Sequence, residues 1–321
     1  MSISAFASSS LFFAVALVAQ TPTVTGTITQ ALTVSATGSP TQQQTVPIGL
    51  LPTGGANLSA SALPLSTASM QWAPTGGHPA GVAGFRVQSQ GSGYLNFSLG
   101  AGSFTTSGEV VLQLTMPTPT PVLVVVSGTA QAFGGSTLTQ VDLDNDGSVD
   151  VSLASSTFSP NSQVEAEFGL LVGPAGRTIR IQQSNSGSAM FSSALASSDL
   201  EIKVHAGAYP ISAYGPGCLS QTYSRSPTGA PTLHCPAGNG SLAFFVVGLN
   251  AMQVPLALAP GCYQLTDVVF AVLALPTNGQ ASYALLLPTV PPGFEVRTQV
   301  AVINSLGTIQ TSNGLLVVGP D

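Results

Sequence analysis

The chain has 321 residues, enough for about two domains, with 44% hydrophobic residues, 6% charged residues and a net charge of −6. One lysine and five scattered arginines exclude the clustered cations of a phosphate-binding surface, so nucleic acid is not an expected partner, and anionic membrane surfaces are disfavoured on the same ground. High hydrophobicity with little charge excludes disorder, and after residue 20 no unbroken apolar stretch approaches the roughly 18 residues of a spanning helix.

The chain opens on a short apolar run, Leu11 to Ala19, followed by Gln20-Thr21-Pro22. That length and the small residue at its end suit a signal peptide, although residues 1–10 carry no Lys or Arg. The expected organisation is a signal peptide over 1–19, an N-terminal β-sandwich domain over 20–207 and a C-terminal β-sandwich module over 208–321. The expected localisation is secreted, extracellular or at the cell surface.

Between residues 20 and 66, short apolar stretches alternate with Thr, Ser and Gln. Period-two alternation rich in β-branched residues then predicts strands over 69–73, 84–88, 94–99, 109–115, 122–129, 149–153, 163–172, 178–182 and 200–205. Pro117-Thr118-Pro119-Thr120-Pro121 reads as a stiff connection that stays out of a sheet's interior. No segment sustains helical periodicity with caps. The fold class is all-β, with two sandwich domains of jelly-roll or immunoglobulin-like type. An outer-membrane barrel is disfavoured by the lack of aromatic girdles and even strand lengths.

From about residue 213 the character changes. Gly215-Pro216-Gly217-Cys218 is followed in order by Gly229-Ala230-Pro231, Val247-Gly248-Leu249-Asn250-Ala251, Ala259-Pro260-Gly261-Cys262, Gln299 to Ile303 and Ser312-Asn313-Gly314-Leu315. This order resembles a C-terminal module of secreted β-rich proteins of planctomycete-type bacteria. The resemblance covers roughly residues 213–321 and implies secretion and a β-sandwich, with no activity attached. It departs from the family at Cys235, a third cysteine, and at Glu295-Val296-Arg297, where the family tends to be aromatic. The resemblance implies a disulfide between Cys218 and Cys262, each of which follows a Pro-Gly turn. Cys235 is then left free or paired between chains.

The sharpest local signal is Asp142-Leu143-Asp144-Asn145-Asp146-Gly147-Ser148-Val149-Asp150, which holds four of twelve acidic residues. Asp142, Asp144, Asp146, Ser148 through its carbonyl, and Asp150 match positions 1, 3, 5, 7 and 9 of a calcium loop, with Gly147 at the turn. Position 12 is Leu153, so Glu165 or Glu167 would have to complete a structural Ca²⁺ site. The competing reading is a bare hairpin, since Asn145-Asp146-Gly147 is also a turn sequence.

Other constellations are weaker. His78, His205 and His234 stand apart, in no ligand or nucleophile motif. His234 and Cys235 are neighbours, and alternation sends them to opposite faces. His205 shares a strand face with Glu201 and Lys203, which makes it the best general base on offer. Glu165 and Glu167 share another face and are the best carboxylate pair for glycoside cleavage. Trp72, with Phe85, Tyr94 and Phe97 close in sequence, is either core or a sugar-stacking platform. The expected function is a non-enzymatic surface, matrix or adhesion protein, with an extracellular polysaccharide or other surface proteins as partners. An extracellular carbohydrate-binding protein is the first alternative and a secreted hydrolase the second.

Overall fold

The computed structural model describes residues 21–35, 41–48, 56–62, 66–75, 78, 80–96, 100–189, 193–226, 230–257, 259–287, 290–291 and 293–319. The expected signal segment and its cut before Gln20 lie outside them. The described chain is all-β, and every strand ladder is antiparallel.

The first unit contains β1 (Thr23–Ser35), β2 (Thr41–Ile48), β3 (Ala56–Ala62), β4 (Ser66–Pro74), β5 (Val82–Asn96), the short β6 (Gly100–Ala101) and β7 (Ser103–Thr115). It continues with β8 (Thr120–Phe133), β9 (Gly135–Asp142), β10 (Val151–Ser156), β11 (Asn161–Val172), β12 (Arg177–Ser188) and β13 (Ser193–Ala206). One sheet has the order β10-β9-β12-β7-β1-β2. The other runs β11-β8-β13-β5-β4-β3, with β6 attached to β5.

Alternation explains how these strands pack. In β13, Ala194, Ala196, Ser198, Leu200, Ile202 and Val204 are buried, while the residues between Ser193 and Lys203 on the other parity are half-exposed. Inward residues of both sheets meet in one cluster that includes Val24, Ile28, Leu112 and Ile181 from the first sheet and Trp72, Phe85, Val124 and Ile202 from the second. Farther along the same strands Leu32, Met70, Phe104 and Ala196 form another cluster. Between the two lies a buried polar belt. The Asn185 carboxamide accepts from Thr137 Oγ1 and donates to Ser89 Oγ at 2.6 Å, and Ser198 Oγ accepts from Gln183 Nε2. Burial is tolerable there because these groups bond one another.

Two readings of the sequence need correction. Segments 84–88 and 94–99 were expected as separate strands, yet β5 runs unbroken from Val82 to Asn96. Its Gly91 makes no turn. A Cβ at that position would lie 2.0 Å from the Phe104 ring, so glycine is required by packing. The proline run also enters the sheet. Pro121 is the second residue of β8 and pairs with Leu171 of β11, which is possible because the start of a strand needs no amide from that residue.

The second unit comprises β14 (Ile211–Tyr214), β15 (Thr222–Arg225), β16 (Pro231–Pro236), β17 (Leu242–Gly248) and β18 (Ala251–Pro255). It ends with β19 (Tyr263–Thr266), β20 (Phe270–Ala274), β21 (Gln280–Ala284), β22 (Glu295–Ile303) and β23 (Ile309–Val318). A five-stranded sheet, β14-β23-β22-β17-β20, packs on a three-stranded sheet, β15-β16-β21. Leu233, Cys235, Phe245, Ala281, Val300 and Val317 lie in the core between them. The β18–β19 hairpin forms a two-stranded sheet of its own. The buried cluster of the first unit reaches Val204, and that of the second begins at Tyr209.

Candidate functional site

The acidic loop joins β9 to β10, two edge-side strands of the first sheet. Asp142 is the last residue of β9 and is buried, whereas Asp144 and Asp146 are exposed. The loop folds back on the Asp142 carboxylate. Its Oδ1 accepts from the Asn145 amide at 2.6 Å, and its Oδ2 accepts from the Gly147 amide at 3.0 Å. Asn145 has φ 58° and Gly147 φ 92°, left-handed conformations that suit Asn and Gly. Asp146 Oδ1 accepts from the Ser148 amide at 2.6 Å, and this bond holds its carboxyl below the usual range. Asp150 Oδ2 accepts from the Leu143 amide at 2.7 Å and closes the base of the loop.

Asp142, Asp144 and Asp146 each bring a carboxylate oxygen within 4.8 Å of the others. Asp150 is not part of that cluster, and the amide of Ser148 is engaged on Asp146. Arg180, the register neighbour of Asp142, is bonded to Glu109 instead. Three converging hard oxygens on a glycine-turned loop make a donor set for a hard divalent cation. Glu165 and Glu167 do not complete it. Glu167 is engaged by Arg225, with 2.9 Å from Nε to Oε1 and 2.5 Å from Nη2 to Oε2, and it also accepts from the Ile211 amide. Glu165 lines the outer face of the second sheet beside Ser127 and Glu201.

The catalytic alternatives are rearranged by the fold. Glu165 and Glu167 do line one depression of about 390 Å³ where the two units meet, but both oxygens of Glu167 are held by Arg225. Glu201 and Lys203 pair with each other at 3.0 Å, so neither orients His205. His205 is buried, and its Nδ1 has no partner among the described residues. Burial, followed by the Arg225, Lys203 and His78 charges, lowers its pKa, with Glu167 opposing them. His234 and Cys235 do point apart. Cys235 is a free thiol in the core, where burial pushes its pKa up to about 11. His234 lies on the other face and bridges Ser224 at 2.7 Å and Ser282 at 2.9 Å across three neighbouring strands. Sequence reasoning missed this bridge, because only the strand order β15-β16-β21 brings residues 224, 234 and 282 together.

Trp72 is 1% exposed and stacks on Phe85 at 6.5 Å, so it is core and offers no face to a sugar. Tyr94 is exposed on the opposite face of the same sheet, and Phe97 lies outside the described residues.

The motifs of the C-terminal unit converge on structure. Cys218 and Cys262 form a disulfide across 44 residues, tying the segment before β15 to the turn before β19. A Cβ on Gly217 would lie 2.0 Å from the Asn313 amide nitrogen, so Gly215-Pro216-Gly217-Cys218 and Ser312-Asn313-Gly314 need each other. Asn313 Oδ1 accepts from the Gln221 amide at 2.5 Å. Buried Gln299 accepts from the Leu265 amide at 2.9 Å and donates to the Tyr263 and Ser312 carbonyls, both at 2.7 Å. This clasp holds the β18–β19 hairpin to β22 and β23.

No family model matches the chain, and no curated protein matches it. Among solved structures it is similar to the adhesin domain of Epf from Streptococcus pyogenes, at 7% identity over 83% of this chain and 92% of that one, with a TM-score of 0.21. At that TM-score the likeness carries no argument about role. Among the described residues no helix is long and apolar enough to cross a membrane.

Proposed function

We propose that the chain is a secreted, non-enzymatic surface, matrix or adhesion protein that meets its partner through the outer face of the β11-to-β3 sheet. The observation that supports this most is the makeup of that face. One cross-strand row is Asn161, Gln131, Ser197, Gln90 and Ser69, and the next is Gln163, Thr129, Asp199, Gln88 and Gln71. The rows are roughly 7 Å apart and successive strands about 4.8 Å apart, so amides and hydroxyls form a regular, nearly uncharged array. Depressions of about 600 and 460 Å³ lie on this face, lined largely by Gln, Ser and Thr, with Arg86, Glu165, Asp199 and Glu201 at the larger. Arg86 and Asp199 neutralise each other there. Such an array suits the hydroxyls of a neutral extracellular polysaccharide or the polar surface of another protein, and it favours the carbohydrate reading as the second choice. The Cys218–Cys262 bond fits an oxidising compartment.

In this reading the Asp142, Asp144 and Asp146 loop holds Ca²⁺ in a structural role at the end of β9. Affinity electrophoresis through neutral polysaccharides tests the partner face. Retardation of the wild type, lost in a Gln71→Ala, Gln88→Ala, Gln90→Ala variant of unchanged melting temperature, supports the carbohydrate form. Retention on the producing cells' surface proteins without polysaccharide retardation supports the protein form. Hydrolytic turnover by the purified chain, abolished in His205→Ala or His234→Ala, would overturn the non-enzymatic reading.

A further inference from the structure

We infer that the chain self-associates through β20, pairing edge to edge with the same strand of a second copy. β20 ends the five-stranded sheet, bonded on one side to β17 and to no strand on the other among the described residues. An unpaired edge presents a row of amides and carbonyls, and proteins usually guard such rows with charge or proline. Among the described residues several other edges are guarded or polar: β11 carries Glu165 and Glu167, β15 carries Arg225, β18 ends in Pro255, and β10 alternates Ser and Ala outward. β20 reads Phe-Ala-Val-Leu-Ala, flanked by Val268, Val269 and Leu275, with no charge and no proline across those eight residues.

These side chains are exposed despite their size. Val268 is 60% exposed, Leu273 53% and Leu275 70%, and Val269 and Phe270 are also exposed. The apolar surface continues inward from the edge. Leu273 lies opposite Phe244, which lies opposite Ala301, and on the next row Leu242, itself exposed, lies opposite Ile303, which lies opposite Ile309.

The occupant follows from geometry and area. An antiparallel pair of identical strands is its own complement, so two copies related by a two-fold axis close into a dimer with no second surface needed. Half-exposed Val, Leu and Phe side chains each offer on the order of 80 Å². With the backbone row between them, the five edge residues of two copies would bury on the order of 1,000 Å², about the size a specific interface must reach. The five-stranded sheets would join into one of ten, with the two Leu273 strips meeting at the seam.

The test is sedimentation of the full chain at increasing concentration, paired with hydrogen exchange. The inference expects a reversible monomer–dimer equilibrium and slower exchange of amides 268–275 as the dimer fills. Ala271→Lys with Leu273→Lys, both at exposed positions, should be monomeric at every concentration while melting as the wild type does. Ser152→Lys, on the edge strand β10, should leave the dimer intact. A wild type that stays monomeric to several hundred micromolar overturns the inference, as does a dimer that survives the double lysine variant. If the double variant melts early, the wild-type exchange decides: no concentration-dependent protection over 268–275 also overturns it.

Discussion

At the residue scale the Asp142 carboxylate does two things, folding the loop through two amides and facing Asp144 and Asp146. Like charges this close repel, and a divalent cation would relieve that repulsion in the native state alone. Millimolar Ca²⁺ should therefore raise the melting temperature by mass action, by several degrees at saturating metal. Asp144→Asn with Asp146→Asn, which spares the amide bonds to Asp142, should abolish the rise. Equal melting of both proteins with and without Ca²⁺ would leave the bare hairpin as the correct reading. Cys235 provides a second residue-scale prediction. Its thiol is buried and its pKa stands near 11, so at pH 8 it is neither accessible nor ionised. Iodoacetamide should leave it unlabelled in the native protein and label it once the chain is unfolded. A third concerns His205. Its folded pKa lies below the unfolded value of about 6.5, so the unfolded chain binds the proton first as pH falls. Its effect on stability should be absent above pH 6.5 and increasingly destabilising below it. His205→Gln should flatten the melting curve between pH 6.5 and 5, and a wild-type profile unchanged by that substitution would reject the assignment.

At the element scale, long strands follow from simple alternation, whereas the hairpin clasp of the second unit depends on close backbone approach. Gly217 has no room for a Cβ beside Asn313, and nothing flexible stands there to yield. Gly217→Ala should cost about 2–4 kcal/mol, as strain at a packed backbone contact does. Reduction of the Cys218–Cys262 bond frees a 44-residue separation and should cost about 4 kcal/mol on chain-entropy grounds. Denaturant titration of the two altered forms checks both figures. The positions of most strands are readable in the sequence because one face of each is apolar. Thr137, Thr139 and Leu138 of β9 break that signal by placing buried threonines inside and an exposed leucine outside, so alternation does not mark β9. Gly91 and Gly93 mislead in the opposite direction, since glycine that makes room for the Phe104 ring or the Gly102 carbonyl looks in sequence like a turn.

At the scale of the whole molecule, the two units are joined through Glu167 and Arg225. Arg225 also donates to the Tyr209 carbonyl at 2.9 Å, and its side chain is only 13% exposed. Removing one partner leaves a largely desolvated charge behind, at a cost of roughly 2–3 kcal/mol. Glu167→Gln should therefore weaken the coupling between units and split a single calorimetric transition toward two. A single unshifted transition in that variant would show that the apolar contacts around Tyr209 and Ile211 are enough by themselves.

The fold class and the disulfide partners are legible in the sequence alone, the first from period-two patterning and the second from the order of its Pro-Gly-Cys motifs and the resemblance drawn from it. Both are properties that one strand or one short motif carries by itself. The convergence of Asp142, Asp144 and Asp146 is legible too, because a calcium-like loop is written within nine consecutive residues. What the tertiary structure decided involves residues far apart in the chain. It buried Trp72 against Phe85, gave Glu167 to Arg225, and left β20 open at the sheet's edge. Alternation says that a side chain points to one face of a strand. Only the order of strands within the sheets says what that face meets.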